Sequence, residues 1–189
     1  MKVTPVDHGL DLLKSDLVRS PGIHASDIFG PLFAELEPKR YDYSGKPPNA
    51  LLMALGTAWE KQLEFLLEKN GVKAVRPDEF MSPEGIAYSP DLLIFNGVTR
   101  LGEIKYTSQS SKDYPTEVAN HLPPKADKYN AQMMLYAYWL ELTHGWLAIV
   151  FNYKPFMPEL RVFHLEWTER ELAENHTMMI NFAKQRGLL

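Results

Sequence analysis

Ser89-Pro90-Asp91-Leu92-Leu93-Ile94-Phe95-Asn96-Gly97-Val98-Thr99-Arg100-Leu101-Gly102-Glu103-Ile104-Lys105-Tyr106 reads as two apolar strands around a tight turn. Asn-Gly between apolar runs signals a β-hairpin, because the glycine takes the positive φ the turn requires. Side chains alternate along a strand, so Glu103 and Lys105 share one face and Ile104 takes the other. A carboxylate and an ammonium on an otherwise apolar strand are costly unless something uses them. Register decides whether Asp91 joins them. A two-residue Asn96-Gly97 loop pairs Asp91 with Gly102 and leaves Glu103 on the opposite face. A three-residue loop with Gly97 left-handed pairs Ile94 with Val98 and Asp91 with Leu101, with Glu103 the next neighbour on the same face. An odd-length loop or a bulge is therefore expected.

Around this hairpin the pattern is helical. Leu52, Leu55, Trp59, Leu63, Leu66 and Leu67 recur at helix spacing from Ala50 to Asn70, and Asn70-Gly71 is a stop signal. Val72 to Phe80 and Gly85 to Ser89 read as short strands broken by Pro77 and Pro83. A second helix is expected over Ala126 to Leu142, ended by His144-Gly145. Strands follow over Trp146 to Tyr153 and Leu160 to Trp167, and a last helix opens at Thr168. Thr168 and Glu171 have capping-box spacing. Between Ser20 and Pro48 five prolines leave room for a short helix only, capped by Ser26 or Asp27 with Ile28, Leu32 and Phe33 inward. This order argues for an α/β fold, a central mixed β-sheet flanked by helices.

The 189 residues are read as one domain, with a core over about 50–153 and a helical and irregular segment, 1–49, packed on it. Composition is that of a soluble chain, 45% hydrophobic and 23% charged, which excludes a disordered or collagen-like protein. No apolar run reaches the roughly 18 residues of a membrane span. Acids stand where a secretory signal needs an apolar stretch, so no membrane association and a cytoplasmic location are expected. With no cysteine there is no disulfide, thiolate zinc site or cysteine-held iron–sulfur cluster. The net charge of −4 offers nucleic acid no global attraction.

Two carboxylates converging with a lysine suit a hard divalent cation, magnesium or manganese, rather than zinc or copper. Asp91 and Glu103 would be its ligands, and the Ile104 carbonyl between Glu103 and Lys105 is a candidate third. Lys105 would orient a water or offset transition-state charge. Lys112, Lys125, Lys128 and Arg100 could form a basic rim, interleaved with Asp113, Glu117 and Asp127. Tyr129 shares the Gln132/Tyr136 helix face, where a packed role competes with stacking on a base. The histidines lack ligand spacing, and the tryptophans at 59, 139, 146 and 167 fit a core.

Pro90-Asp91 followed by Glu103-Ile104-Lys105 resembles the signature of the PD-(D/E)XK nucleases. Gly56-x-x-x-Glu60 on the preceding helix, and Gln132-x-x-x-Tyr136 on the following one, resemble further motifs of its RecB-like and lambda-exonuclease-like branches. Both pairs are four apart and so share a helix face. The resemblance implies a restriction-endonuclease-like core, with Glu60, Asp91 and Glu103 holding one or two magnesium or manganese ions and Lys105 as the catalytic lysine. Gln132 and Tyr136, with Tyr129 and Lys128 nearby, would position DNA. Ile23 to Ile28 resembles the opening of the iron–sulfur subgroup, which the lack of cysteine excludes. The activity implied is metal-dependent DNA hydrolysis by an exonuclease of recombination, repair or phage DNA processing, in the host cytoplasm if phage-encoded. A recombination or single-strand-binding partner protein, or an encircling oligomer, would add grip. The alternatives are a DNA endonuclease and a non-catalytic nucleic-acid-binding module on the same fold.

Overall fold

Ten residues, Val98–Thr107, form the long central strand, and the structure, a computed structural model, describes residues 20–38, 50–107, 110–111, 122, 126–153 and 157–189, leaving aside the side chains of 50–52. Most of the expected 108–124 loop, and residues 1–19 and 39–49, lie outside these. In chain order the elements are β1 (Ile23–His24), α1 (Ser26–Leu36), α2 (Ala50–Lys69), β2 (Lys73–Val75), β3 (Phe80–Met81), β4 (Ile86–Tyr88), β5 (Leu92–Asn96), β6 (Val98–Thr107), α3 (Asp127–Trp139), β7 (His144–Phe151), β8 (Glu159–Glu166) and α4 (Glu169–Gln185).

Five strands make the main sheet in the order β2-β5-β6-β7-β8. β6 and β7 are parallel and joined across α3, while the other pairs are antiparallel. A small sheet, β1-β4-β3, stands beside it. The fold is thus α/β, with a mixed sheet between helices. Alternation along β7 divides the core. Leu147, Ile149 and Phe151 join buried residues of α1, α3 and α4, whereas Ala148 and Val150 join Leu92, Ile94, Ile104 and Leu63 of α2.

The β5–β6 hairpin keeps the expected parity but not the expected partner. Its ladder runs from Leu92 opposite Gly102 to Asn96 opposite Val98, so the turn centres on Gly97, whose φ is 75°. Extending this register places Asp91 opposite Glu103, not Leu101. The turn is tighter than three free residues, and both carboxylates stay on one face.

Helix ends follow local chemistry. After α2, Gly71 at φ 76° lets its N–H reach Glu68 O (2.9 Å) and the Val72 N–H reach Leu67 O (2.9 Å), closing the last turn. α3 ends at Trp139, earlier than the expected Leu142. Glu141 takes the left-handed conformation, φ 55°, and the Leu142 N–H returns to Ala137 O (2.9 Å). Gly145 lies within β7 instead of ending the helix. At α1 the N-cap is Ala25 with no side-chain cap, contrary to expectation. Asp27 instead accepts from the His24 N–H at 3.0 Å. Ile28, Leu32 and Phe33 are buried as their spacing predicts. Thr168 and Glu171 form the capping box of α4.

Candidate active site

Asp91 stands between β4 and β5, where its Oδ2 accepts the Ile104 N–H of β6 at 2.7 Å. That bond ties the carboxylate to the centre of the sheet. Glu103, the neighbouring residue on β6, is 1% exposed. Its Oε1 accepts from the Lys105 ammonium on the same face and from Gln132 Nε2 of α3 at 2.7 Å. The second hydrogen of that amide goes to the Tyr136 hydroxyl at 3.1 Å, one helical turn on. Asp91, Glu103, Lys105, Gln132 and Tyr136 are therefore brought together. Ile104 sends its side chain into the α2 side of the core.

Burial raises the Asp91 carboxyl well above its usual range, and the Glu103 charge adds to this while Lys105 opposes it. Burial likewise raises Glu103 against the pull of Lys105. For Lys105 burial favours the neutral amine, but Glu103 and Asp91 outweigh it and hold the ammonium protonated. Burial, then the Glu103 charge, keeps the Tyr136 phenol neutral. The net result is two carboxylates in a poorly solvated place with one ammonium between them.

Glu103 Oε2 is buried and has no hydrogen-bond partner. A fully buried carboxylate oxygen without a donor is an unfavourable arrangement that a cation relieves. The donor set here, carboxylates and backbone carbonyl without thiolate, suits a hard divalent ion. As the side chains are placed, however, no three carboxylate or imidazole groups among the described residues gather closely enough to enclose a metal.

Glu60 explains part of this. It lies on α2, and its carboxylate accepts from Arg76 at 2.5 Å instead of reaching toward Asp91. Its charge is nonetheless near enough to raise both Asp91 and Glu103. Arg76, which follows β2, had no signal in the sequence beyond its charge.

Tyr129 lies between two ammonium groups, with Lys105 5.5 Å and Lys128 4.9 Å from its ring centre. It is half-buried, packed and cation-bearing at once. Arg100 does not join Lys128 in a rim. It shares the strand face of Gly102 and Ile104, opposite Glu103, and stands 5.6 Å from the Trp146 ring centre. Lys112 and Lys125 lie outside the described residues.

A cavity of about 400 Å³ adjoins Tyr136 and is lined by His24, Ser26, Glu79 and Ser89 among others. Ser26 and His24 come from the β1–α1 segment, which the sequence reading packed on the core without assigning it a site residue. Their signal was weak because β1 has only two residues and pairs with β4 far along the chain.

No protein-family model matches the chain, and no curated protein does either. Solved structures do. The chain is similar to an alkaline exonuclease from Laribacter hongkongensis, with 20% identity over 87% of each chain and a TM-score of 0.58. The complex of that enzyme with dAMP matches at 18% identity and a TM-score of 0.54, again over 87% of each chain. A phage-related exonuclease from Haemophilus somnus matches at 14% identity over 85% of this chain and 79% of its own, with a TM-score of 0.57. At these identities the likeness is one of fold: the chain has the α/β fold of an alkaline exonuclease and of a phage-related exonuclease.

Proposed function

We propose that the chain is a metal-dependent deoxyribonuclease, an exonuclease that hydrolyses phosphodiester bonds from a DNA end. One observation carries the reading: a buried glutamate, Glu103, is held on one oxygen by Lys105 and Gln132 and is bare on the other, on the sheet face shared with Asp91. Burying so many charged groups disfavours folding, which argues for a use. The exonuclease choice is supported by the fold shared with two exonucleases.

Asp91, Glu103 and the Ile104 carbonyl would hold magnesium or manganese, with Glu60 available from α2 once it leaves Arg76. The ion would supply Lewis acidity toward a phosphodiester oxygen and toward water. Lys105 remains protonated between Glu103 and Asp91, so its positive charge stands ready where phosphoryl oxygens gain negative charge. Gln132 keeps Glu103 in one rotamer by spending both amide hydrogens on Glu103 and Tyr136. The Tyr136 hydroxyl, the hydroxyls of Ser26 and Ser89 and the His24 imidazole give the adjoining cavity donors for a phosphate. Tyr129 and Lys128 would meet the strand beside Lys105.

The test is degradation of end-labelled linear DNA beside a covalently closed circle, with magnesium or manganese and then with chelator. Metal-dependent loss of the linear form alone is expected. Cutting of the circle would make the chain an endonuclease, and binding without cleavage would make it a silent module. Glu103→Gln and Asp91→Asn should each lower the rate by about a hundred-fold or more. Full activity in either variant removes the site assignment.

A further inference from the structure

Glu84 sits in the turn between β3 and β4, which Gly85 closes at φ 79°. Its backbone N–H and that of Ile86 both reach Ser82 Oγ at 3.2 Å, so the Ser82 hydroxyl gathers the backbone of the turn. The carboxylate bonds back to Ser82 and to its own backbone N–H, and it also reaches out of the hairpin. One oxygen accepts from the Trp139 indole of α3 at 3.1 Å, and the other meets His176 Nε2 of α4 at 2.8 Å. His176 lies flat on Tyr138 with ring centres 4.1 Å apart, and edge-on to Trp139 at 6.2 Å. A single side chain thus joins a β-turn to two helices. Burial would raise its carboxyl, but the hydrogen bonds from Ser82, the backbone and His176 outweigh this and hold it below the usual range.

From this junction an unbroken line of contacts leads to the carboxylates. Trp139 packs on Tyr88 of β4 at 4.7 Å, Tyr88 packs on Tyr136 at 5.4 Å, and Tyr136 accepts from the amide that holds Glu103. Tyr88 also precedes Ser89-Pro90-Asp91, so the strand fixed by the junction delivers Asp91 itself. Neither Glu84 nor His176 touches the reacting groups.

We infer that Glu84 and His176 form a latch that positions the catalytic face: through Trp139 and Tyr88 it sets Tyr136, and through β4 it sets Asp91. This rests on the nuclease reading for its catalytic consequence, while the latch itself is structural and can be tested apart from activity. A displacement near 1 Å at a reacting group costs about a hundred-fold in rate, so a loosened latch should show in kcat before it shows in binding.

The experiment compares wild type with Glu84→Ala, Glu84→Gln and His176→Phe, each held well below its melting temperature. Three readouts are taken: kcat and KM on linear DNA, near-ultraviolet circular dichroism of the aromatic line, and amide hydrogen exchange across 86–92. Glu84→Ala and His176→Phe should lower kcat about ten-fold or more with KM within about three-fold. Both should weaken the aromatic dichroism and speed exchange at 86–92. Glu84→Gln, which keeps an acceptor for the indole, should recover most of each readout. A lowered melting temperature with unchanged kcat, dichroism and exchange would make the contact a stability element and overturn the latch. A wild type inert on DNA in magnesium and manganese overturns the nuclease reading alone, because dichroism and exchange still decide the latch. Unchanged dichroism and exchange in Glu84→Ala overturn the latch whatever the activity.

Discussion

Lys105 is the residue on which the charge balance of the site turns. Its ammonium bonds Glu103, faces Asp91 and lies over the Tyr129 ring, and it is about a quarter exposed while Glu103 is nearly sealed. Replacing it by methionine keeps the aliphatic stem and removes the charge. Glu103 is then left buried with Gln132 as its remaining donor and Asp91 as a neighbouring negative group. Lys105→Met should therefore destabilise the fold by about 2–3 kcal/mol at neutral pH, somewhat less than a fully sealed pair because water reaches the amine. The loss should shrink at a pH below the raised range of Glu103, where the carboxyl takes a proton and no longer needs a partner. Urea titrations at the two pH values check this, and an equal loss at both would mean the stem, not the charge, matters. Cleavage by the same variant should fall about a hundred-fold or more.

At the level of elements, Gly145 shows why a glycine can mislead. From sequence it reads as a helix stop, yet it sits in β7 because a Cβ there would come within 2.5 Å of the Trp167 ring and 2.8 Å of the Met133 methyl. Close packing between β7, α3 and the residue that enters α4 excludes any side chain. Gly145→Ala should cost about 1–3 kcal/mol through overpacking, read as a lower denaturant midpoint. Thr168→Ala, by contrast, removes only the capping box of α4 and should cost about 1 kcal/mol. The difference separates what sequence can carry from what it cannot. Capping boxes, the Asn70-Gly71 stop and the apolar spacing of α1 are local, so residues a few positions apart reveal them. The Glu103–Lys105 face and its meeting with Asp91 were legible for the same reason, since strand alternation and one turn fix them. The Arg76–Glu60 pair, the Gly145 packing and the Glu84 junction join residues 12 to 92 positions apart, and no local periodicity encodes them. The register itself sits between these cases: parity followed from the alternation, but the tightness of the turn did not.

Across the whole molecule, the raised carboxyl groups of Asp91 and Glu103 would couple stability to the proposed metal binding. Asp91 and Glu103 both have raised carboxyl values in the folded chain, mainly through burial. Between the ordinary carboxylate range and those raised values the folded state binds more protons than the unfolded one. By linkage, their contribution makes the fold less stable as pH rises through that window, and the loss is complete above it. Lys105 acts in the same direction but only in alkali: its value is raised too, so the stability its charge confers is lost as pH rises through its own, higher range. Above the carboxyl window the folded chain therefore carries a strained negative pair that a divalent ion would relieve, whereas below it protons already relieve it. Magnesium or manganese at about a hundred times its dissociation constant should add about 2.7 kcal/mol at the higher pH. In a chain of this size that is a rise of roughly 5–10 °C in melting temperature, and little should be gained at the lower pH. Sodium chloride of matched ionic strength is the control, and Glu103→Gln should lose the increment. An equal rise at both pH values, or one that sodium reproduces, would mean that the ion screens surface charge instead of filling a site between Asp91 and Glu103.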